Sequence, residues 1–246
     1  MYTDFALVYD RLMRDVNYNA WSNYYQQILS YYNVSVKTIC ECACGTGNIT
    51  LCLAKNGFQM IGVDNSPDML FQASQKSRKA SLQIPFINQN MTNLQLHRPV
   101  DSVLCTNDGL NYLKNEDELY EFFTRAKESL KPGGILSLDL STPYKLKYVL
   151  GNNCICEDAE DFSFHWQNEY HEDKASVDMF LSIFIAQKNG LYQRLSELQV
   201  QYAHSKETIE TALKEAGFHS IKFFGNKNLE EPLPNETRWF IAAKKY

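Results

Sequence analysis

The sequence predicts an α/β protein with a doubly wound, mostly parallel sheet of seven strands and an antiparallel β insertion after the fifth strand. Three observations support this class. Short apolar runs alternate with amphipathic segments from residue 19 to residue 141, as in right-handed βαβ units. A glycine-rich turn joins the first strand to a helix. Three period-two runs then follow without helices between them, which predicts an antiparallel meander.

The elements of the main sheet follow in order along the chain. Its predicted strands are 37–43, 58–63, 84–90, 100–107, 135–141, 220–225 and 237–245. The predicted helices are 19–32, 49–56, 65–80, 115–130 and 205–218. Ser66 followed by Pro67 marks one helix start, because a serine hydroxyl accepts from a free N–H and proline fits the first helical position.

The period-two runs are 162–171, 176–187 and 195–203, and Asn189-Gly190 is a hairpin signal between the last two. We therefore predict two units. Residues 1–144 and 205–246 form the main domain, in which residues 1–33 are an N-terminal helical cap. Residues 145–204 form an antiparallel lid. In the first of its strands, His165 and His171 are expected either on a solvated face or at the edge of a substrate site.

Composition limits the classes of function. The 246 residues carry a net charge of −5, which disfavours a nucleic acid as the main partner because phosphate binding depends on Lys and Arg. No apolar run reaches the length of about 20 residues that a membrane span needs, and the N-terminus lacks the pattern of a signal peptide. Seven cysteines without such a signal are expected to be reduced thiols in the cytoplasm.

Cys40, Cys42 and Cys44 alternate in "TICECACGTGNIT" and raise the question of a metal site. Side chains two apart in a strand share a face but lie too far apart for three of them to surround one ion. We therefore predict no metal and interpret these cysteines as small apolar residues of a buried strand.

The same stretch also reads as a nucleotide-binding turn, in which Gly45 and Gly47 let the backbone approach a ligand. Asp64 ends the next strand, where an acidic side chain can bind ribose hydroxyls. Its alternative role is to cap the following helix. A dinucleotide fingerprint would have glycine or alanine at position 50, and this chain has Thr50.

The pattern Glu41-x-Ala43-x-Gly45-x-Gly47 resembles motif I of the class I S-adenosylmethionine-dependent methyltransferases, with Ala43 in place of the first glycine. "GVDNSPDML", "NQNMTNL", "SVLCTNDGLNYL" and "LKPGGILSLDL" resemble the later motifs of this superfamily. The opening segment and the insertion resemble small, mostly uncharacterised bacterial members. The resemblance implies a Rossmann-like fold that binds S-adenosylmethionine and releases S-adenosylhomocysteine.

The resemblance also implies a set of cofactor-binding residues. Asp64 would bind the ribose, Asn65 or Ser66 would lie beside the adenine, and Asn90 would accept from the adenine amino group. Glu41, Thr106 and Asn107 would lie near the methionine end. The full predicted set is Tyr9, Glu41, Ala43, Cys44, Gly45, Gly47, Asp64, Asn65, Asn90, Met91, Thr106 and Asn107. Tyr9 caps the cofactor or, alternatively, belongs to one apolar helix stripe.

The predicted activity is in-line transfer of a methyl group to a small-molecule acceptor that the lid encloses. Asp108 follows strand 4 and is the candidate catalytic residue, with a simple turn role as the alternative. The segment after the fourth strand lacks the Pro-Pro-aromatic pattern of enzymes that methylate the exocyclic amines of nucleic-acid bases. A nucleic-acid acceptor is therefore disfavoured. A nicotinamide-dependent oxidoreductase and a non-catalytic nucleotide-binding regulator remain alternatives, and the oligomeric state is not predicted.

Overall fold

The computed structural model describes residues 3–225 and 228–246. Its main sheet has seven strands in the order β10-β11-β5-β4-β1-β2-β3. They are β1 Thr38–Cys42, β2 Gln59–Asp64, β3 Phe86–Asn88, β4 Val100–Cys105, β5 Leu130–Ser141, β10 His219–Phe224 and β11 Arg238–Lys244. β1 to β5 are parallel, whereas β11 is antiparallel to both β5 and β10. The predicted fold class is confirmed.

Six α-helices flank or cap this sheet in the described residues. They are α1 Thr3–Leu12, α2 Tyr18–Tyr31, α3 Asn48–Lys55, α4 Pro67–Lys79, α5 Glu116–Ser129 and α6 Lys206–Glu215. Polar caps fix several helix starts. Ser66 Oγ accepts from the Met69 N–H at 3.3 Å, with Pro67 at the first helical position as predicted. Asn17, Asn115 and Ser205 cap α2, α5 and α6 in the same way.

Apolar side chains are buried on both faces of the sheet. Phe122 and Phe123 of α5 and Leu213 of α6 pack on one face, and all three are fully buried. Tyr25 of α2 and Leu53 of α3 pack on the other. Burying a side chain of this size stabilises the fold by about 1.5–3 kcal/mol. These two layers hold the strand ends in place and thereby position the loops that follow them.

The predicted cysteine core of β1 is present. Cys40 and Cys42 are fully buried, and Cys44 in the following turn is nearly so. All seven cysteines are free thiols. Because the Cys40 and Cys42 thiols point into one apolar layer, the side chain of Glu41 between them points to the opposite face of the sheet.

The insertion forms a separate antiparallel sheet in the order β6-β7-β8-β9. Its strands are β6 Cys154–Asp158, β7 Phe162–His171, β8 Ser176–Ala186 and β9 Tyr192–Tyr202. The sequence predicted three strands, and the structure adds β6 at the edge. This five-residue strand was missed because most of it is exposed, which leaves no apolar alternation to detect.

The insertion sheet packs against the N-terminal helix. Phe5 and Val8 of α1 share an apolar cluster with Phe162, Val177 and Met179 of the insertion. Arg11 of α1 also pairs with Asp161 at 2.8 Å. The N-terminal helix and the insertion therefore pack together as one unit. The division of the chain into a main domain and a lid at 145–204 stays a prediction.

Candidate active site

A cleft opens at the carboxyl ends of β1, β2 and β4, where parallel sheets bind their ligands. It contains about 1040 Å³ of space that no atom occupies, part of it continuous with solvent. Every predicted cofactor-binding residue except Gly47 lines it. The other lining residues are Phe5, Tyr18, Thr46, Asn48, Ile49, Ser66, Met69, Gln89, Gly109, Tyr112 and Gln199.

The turn after β1 forms the floor of the cleft. Ala43, Gly45 and Gly47 all have positive φ angles, of 51°, 53° and 75°. A Cβ on Gly45 would meet nothing within 4 Å, so the space above it is open to a ligand. A Cβ on Gly47 would lie 3.0 Å from the Ala73 Cβ. Gly47 therefore serves the packing of α3 against α4 and is not among the residues that line the cleft, and its role as a cofactor contact stays a prediction.

Glu41 lies at the base of this turn with only 2% of its surface exposed. Thr106 Oγ1 donates to its carboxylate at 2.6 Å, and Thr50 Oγ1 donates to the other oxygen. Burial raises the pKa of Glu41 to about 7, although both hydroxyls act in the opposite direction. Thr50, where a dinucleotide fingerprint would have a small residue, is therefore used to hold Glu41.

Asp64 ends β2 and binds the two segments beside it. Its carboxylate accepts from the Gly45 N–H at 2.8 Å and from the Ser66 N–H at 2.9 Å. Burial raises its pKa above the usual range. Asp64 thus lies in the cleft, as predicted, and it also performs the alternative role of binding the backbone at the start of α4.

Asn90 and Met91 follow β3 at one end of the cleft. The Asn90 Oδ1 atom accepts from the Thr92 N–H at 3.0 Å and from the Thr92 hydroxyl at 3.1 Å. Both lone pairs of this oxygen are therefore already used. An adenine amino group would have to displace Thr92 to make the predicted hydrogen bond.

The turn after β4 places two residues in the left-handed region, Asn107 at φ 59° and Asp108 at φ 65°. Asp139 stabilises this backbone, because its carboxylate accepts from the Asn107 N–H at 2.7 Å and from the Asp108 N–H at 3.2 Å. Tyr25 donates to the same carboxylate. Arg238 of β11 pairs with both Asp108 and Asp139. A buried charge network thus supports one wall of the cleft.

The position of Asp108 does not support the predicted catalytic role. Its carboxylate accepts from Arg238 at 2.6 and 2.9 Å and from Ser141 at 2.9 Å, and it does not line the cleft. Burial acts to raise the pKa of Asp108, but the charges of Arg238 and Lys145 outweigh it and the pKa lies below its usual range. A carboxylate with these partners is a weak base.

The N-terminal helix covers the cleft. Tyr9 lines it, and burial raises the pKa of its phenol well above the usual value, against a hydrogen bond from Asn107. The neighbouring Asp10 accepts from Thr46 at 2.6 Å, from Asn48 at 2.9 Å and from Lys76 at 2.7 Å. We call these three contacts the Asp10 latch, because they attach α1 to the loop after β1 and to α4.

The insertion contributes one side chain to the cleft. Gln199 of β9 accepts from the Tyr112 hydroxyl at 2.8 Å, and both residues line the mouth opposite the floor. No residue of β7 is among the lining residues of the described chain. His165 is exposed and His171 pairs with Asp178 at 3.2 Å, so the solvated-face alternative is the one observed.

Sequence reasoning missed Asp10, Tyr112, Gln199 and Arg238. For Arg238 a weak signal existed, since an arginine that begins the apolar strand "RWFIAA" needs an anionic partner if it is buried. Asp10, Tyr112 and Gln199 offered none, because their roles depend on how α1 and β9 fold over the sheet.

Comparison with known proteins identifies the class. Residues 39–134 match the family model described as a methyltransferase domain. A protein of Geobacillus sp. (strain WCH70) whose name assigns it to the methyltransferases is 34% identical over 99% of both chains. An S-adenosylmethionine-dependent methyltransferase from Clostridium acetobutylicum ATCC 824 superposes with a TM-score of 0.89 and is 30% identical, covering 99% of this chain and 98% of that one.

A more distant structure shares the fold. The S-adenosylmethionine-bound CalS10 of Micromonospora echinaspora has a TM-score of 0.76 at 16% identity, over 97% of both chains. The chain belongs to the class I S-adenosylmethionine-dependent methyltransferases. The family decides against the oxidoreductase and regulator alternatives. Within the described residues, no helix is both long and apolar enough to cross a membrane.

The cleft suits this cofactor. Open space above Gly45 accommodates a ligand against the backbone, and Asp64 presents a buried carboxylate at the floor. Apolar side chains of Ile49, Met69 and Met91 line the same cavity and suit an aromatic base.

Proposed function

We propose that the protein transfers the methyl group of S-adenosylmethionine to a small-molecule acceptor that enters between α1 and β9. The observation that carries this proposal is the composition of the cleft mouth. Tyr9 of α1, Tyr112 after β4 and Gln199 of the insertion line it. A mouth formed from three separate segments suits a compact molecule better than a long polymer, and the net charge of −5 disfavours a nucleic acid.

S-adenosylmethionine, when bound, supplies an electrophilic methyl group on a positively charged sulfur. In our proposal Asp64 binds the ribose hydroxyls, and Asn65 lies beside the adenine. Glu41 faces the cationic methionine end, and the backbone of Thr106 and Asn107 borders it. Asp108 acts as a positioning residue, since its pairing with Arg238 helps to fix the Asn107 turn.

The chemistry of the acceptor follows from the side chains at the mouth. Among the described residues, those that line the cleft include neither histidine nor lysine, and Glu41 and Asp64 are the only carboxylates. Both are assigned to the cofactor. Burial raises the pKa of the lining groups Tyr9, Tyr18 and Cys44, which keeps them protonated. The Tyr112 hydroxyl keeps its proton to donate to Gln199, so no deprotonated side chain is left to act as a base for the acceptor. We therefore propose an acceptor atom that is nucleophilic when uncharged, such as an amine nitrogen. The chain then contributes orientation and exclusion of water, and orientation alone supplies about 7–11 kcal/mol.

A panel of small amines, alcohols and thiols, assayed by S-adenosylhomocysteine release, tests this proposal. We expect turnover with amines and a rate that rises with the fraction of uncharged amine. Gln199→Ala should lower kcat/KM for the acceptor about tenfold and leave S-adenosylhomocysteine affinity unchanged. Gln193→Ala, the same change at an exposed position of the same strand, is the matched control. Turnover with alcohols alone, or an equal effect of both variants, would contradict the proposal.

A further inference from the structure

Three side chains with metal-ligating atoms meet on the outer face of the insertion sheet, outside the methyl-transfer cleft. Cys154 and Cys156 lie two residues apart on β6, so they share one face of the strand. His165 of β7 is the direct cross-strand partner of Cys156. In the part of the chain that the structure describes, this is the one group of three histidine, cysteine or acidic side chains close enough to hold an ion together.

The distances between the ligand atoms suit a single ion. Cys154 Sγ lies 3.4 Å from Cys156 Sγ and 3.1 Å from His165 Nε2, and all three atoms lie within 4.8 Å of one another. Around a tetrahedral zinc ion two sulfurs lie about 3.8 Å apart, and a sulfur and a nitrogen about 3.5 Å apart. The two separations from Cys154 Sγ are each about 0.4 Å shorter than these values, and the third is at most 4.8 Å. Small side-chain rotations would therefore bring the three atoms to the spacing around one ion.

The neighbouring strand distinguishes the cysteine pair on β6 from the pair on β1. Cys40 and Cys42 have the same spacing, but their partners across β2 and β4 are Ile61, Val63, Val103 and Cys105. On β6 the adjacent strand supplies an imidazole. A third ligand from the next strand avoids the geometric limit that excludes three ligands along one strand.

The environment of the group also suits an exchangeable ion. All three side chains are exposed, so a hydrated ion reaches them and water can fill the fourth position. Two thiolates and an imidazole form a borderline-soft donor set, which favours zinc over magnesium or calcium.

We propose that Cys154, Cys156 and His165 bind one thiophilic divalent ion of the zinc class, at a site separate from the methyl-transfer cleft. Ligation converts both thiols to thiolates, while His165 binds as the neutral imidazole. Each bound Zn²⁺ therefore displaces two protons, which pass to the buffer. The ion links the edge strand β6 to β7.

The experiment uses the full-length, tag-free protein, stripped of metal and kept reduced with a non-chelating phosphine. Zn²⁺ is titrated in competition with a chromophoric chelator, and Co²⁺ is added separately to detect thiolate-to-cobalt charge-transfer absorption. We expect one Zn²⁺ per chain, release of about two protons, and a higher Tm with Zn²⁺ present.

Single changes at the ligands sharpen the test. Cys154→Ser, Cys156→Ser and His165→Ala should each weaken zinc binding by about a hundredfold or more, since even an outer partner of a ligand costs 10–100-fold. Cys52→Ser and His171→Ala remove the same residue types elsewhere and should leave it unchanged. Because the ligands are exposed, the variants should keep their affinity for S-adenosylhomocysteine.

Two results would overturn the proposal. One is reduced wild-type protein that binds less than a fifth of an equivalent of Zn²⁺ at micromolar free metal. The other is zinc affinity in the three ligand variants equal to that of the two controls.

Discussion

The two sides of the cleft are built in different ways. The cofactor side consists of strand ends whose polar groups are already partnered, such as Glu41 with two threonine hydroxyls and Asp139 with two backbone N–H groups. The side proposed for the acceptor consists of α1 and the insertion, which pack together through an apolar cluster and are also joined by ion pairs that water reaches. Arg11 and Asp161, for example, have 37% and 72% of their side chains exposed.

Buried pairs and exposed pairs differ in how much they contribute to stability. Pairs that are buried and hydrogen-bonded resist change, because removing one partner leaves an uncompensated charge. Exposed pairs contribute about 0–1 kcal/mol each. We therefore expect the cofactor side to determine stability and cofactor affinity, and we expect the exposed residues of the acceptor side to vary without loss of the fold.

The largest effect is expected at Arg238. Arg238→Met leaves Asp108 and Asp139 buried without their cation, which should lower the free energy of unfolding by about 3–5 kcal/mol, measured by urea denaturation. Arg125→Met removes an exposed pair with Glu128 and should change it by less than about 0.5 kcal/mol. Equal losses in the two variants would show that the buried network has no special weight.

Asp64 should control cofactor affinity. Asp64→Ala removes hydrogen bonds to a charged group, worth about 1.5–3 kcal/mol each, so we expect S-adenosylhomocysteine to bind at least about a hundredfold more weakly by calorimetry. Asp68→Ala, a change of the same type in the first turn of α4, is the control. Unchanged affinity in Asp64→Ala would refute the ribose assignment.

The raised pKa of Glu41 predicts that S-adenosylhomocysteine binding depends on pH. If its carboxylate meets the cationic methionine end, S-adenosylhomocysteine affinity should rise as pH increases through the pKa of about 7. Between pH 6 and pH 8 the ionised fraction, and with it the affinity, grows about tenfold. Glu41→Gln should give a flat profile, whereas a slope that survives in this variant would assign the titration to another group.

The stability of the ligand-free protein should change with pH in the opposite direction to the cofactor affinity, falling as pH rises. Burial raises the pKa of Glu41 from about 4.3 in the unfolded chain to about 7 in the fold. The folded state therefore holds the proton more tightly, and this contribution is greatest below the unfolded pKa and is lost as pH rises towards 7. Tm measured across pH 5–8 should fall less in Glu41→Gln than in the wild type.

The smallest effect is expected at Ala43. Its φ of 51° costs an L-residue about 1–2 kcal/mol, while glycine adds about 0.4–1 kcal/mol of unfolded-state entropy. Ala43→Gly should therefore stabilise the protein by about 0–1.6 kcal/mol in urea denaturation. Ala54→Gly, inside α3, should destabilise it by about 1 kcal/mol. Destabilisation by both changes would mean that the Ala43 methyl group contributes more by packing than it costs in strain.

The cofactor side was the predictable side. Glu41, Gly45 and Asp64 lie close to strands in sequence, and strand–turn–helix patterns show where strand ends meet. Cys40 and Cys42 were correctly interpreted as core residues because parallel strands are buried on both faces. The role of Asp108 could not be predicted, since it depends on Arg238, 130 residues further along the chain.

The acceptor side was hidden for a similar reason. Gln199 and Tyr112 meet only when β9 folds over the turn after β4, and local periodicity carries no information about that contact. The strand β6 was too short and too exposed to show a pattern, so the cysteine pair on it had no visible neighbour. Cross-strand register, which brings His165 beside Cys156, is a tertiary property.

The Asp10 latch has a kinetic consequence. Its ion pair with Lys76 leaves 42% of the Asp10 side chain and 26% of the Lys76 side chain in contact with water. Dissolved salt screens such a pair with a Debye length of about 8 Å at physiological ionic strength. Because α1 lines the cleft through Phe5 and Tyr9, the residence time of S-adenosylhomocysteine on the enzyme should shorten as salt concentration rises, and product departure should accelerate without any change in the methyl-transfer step.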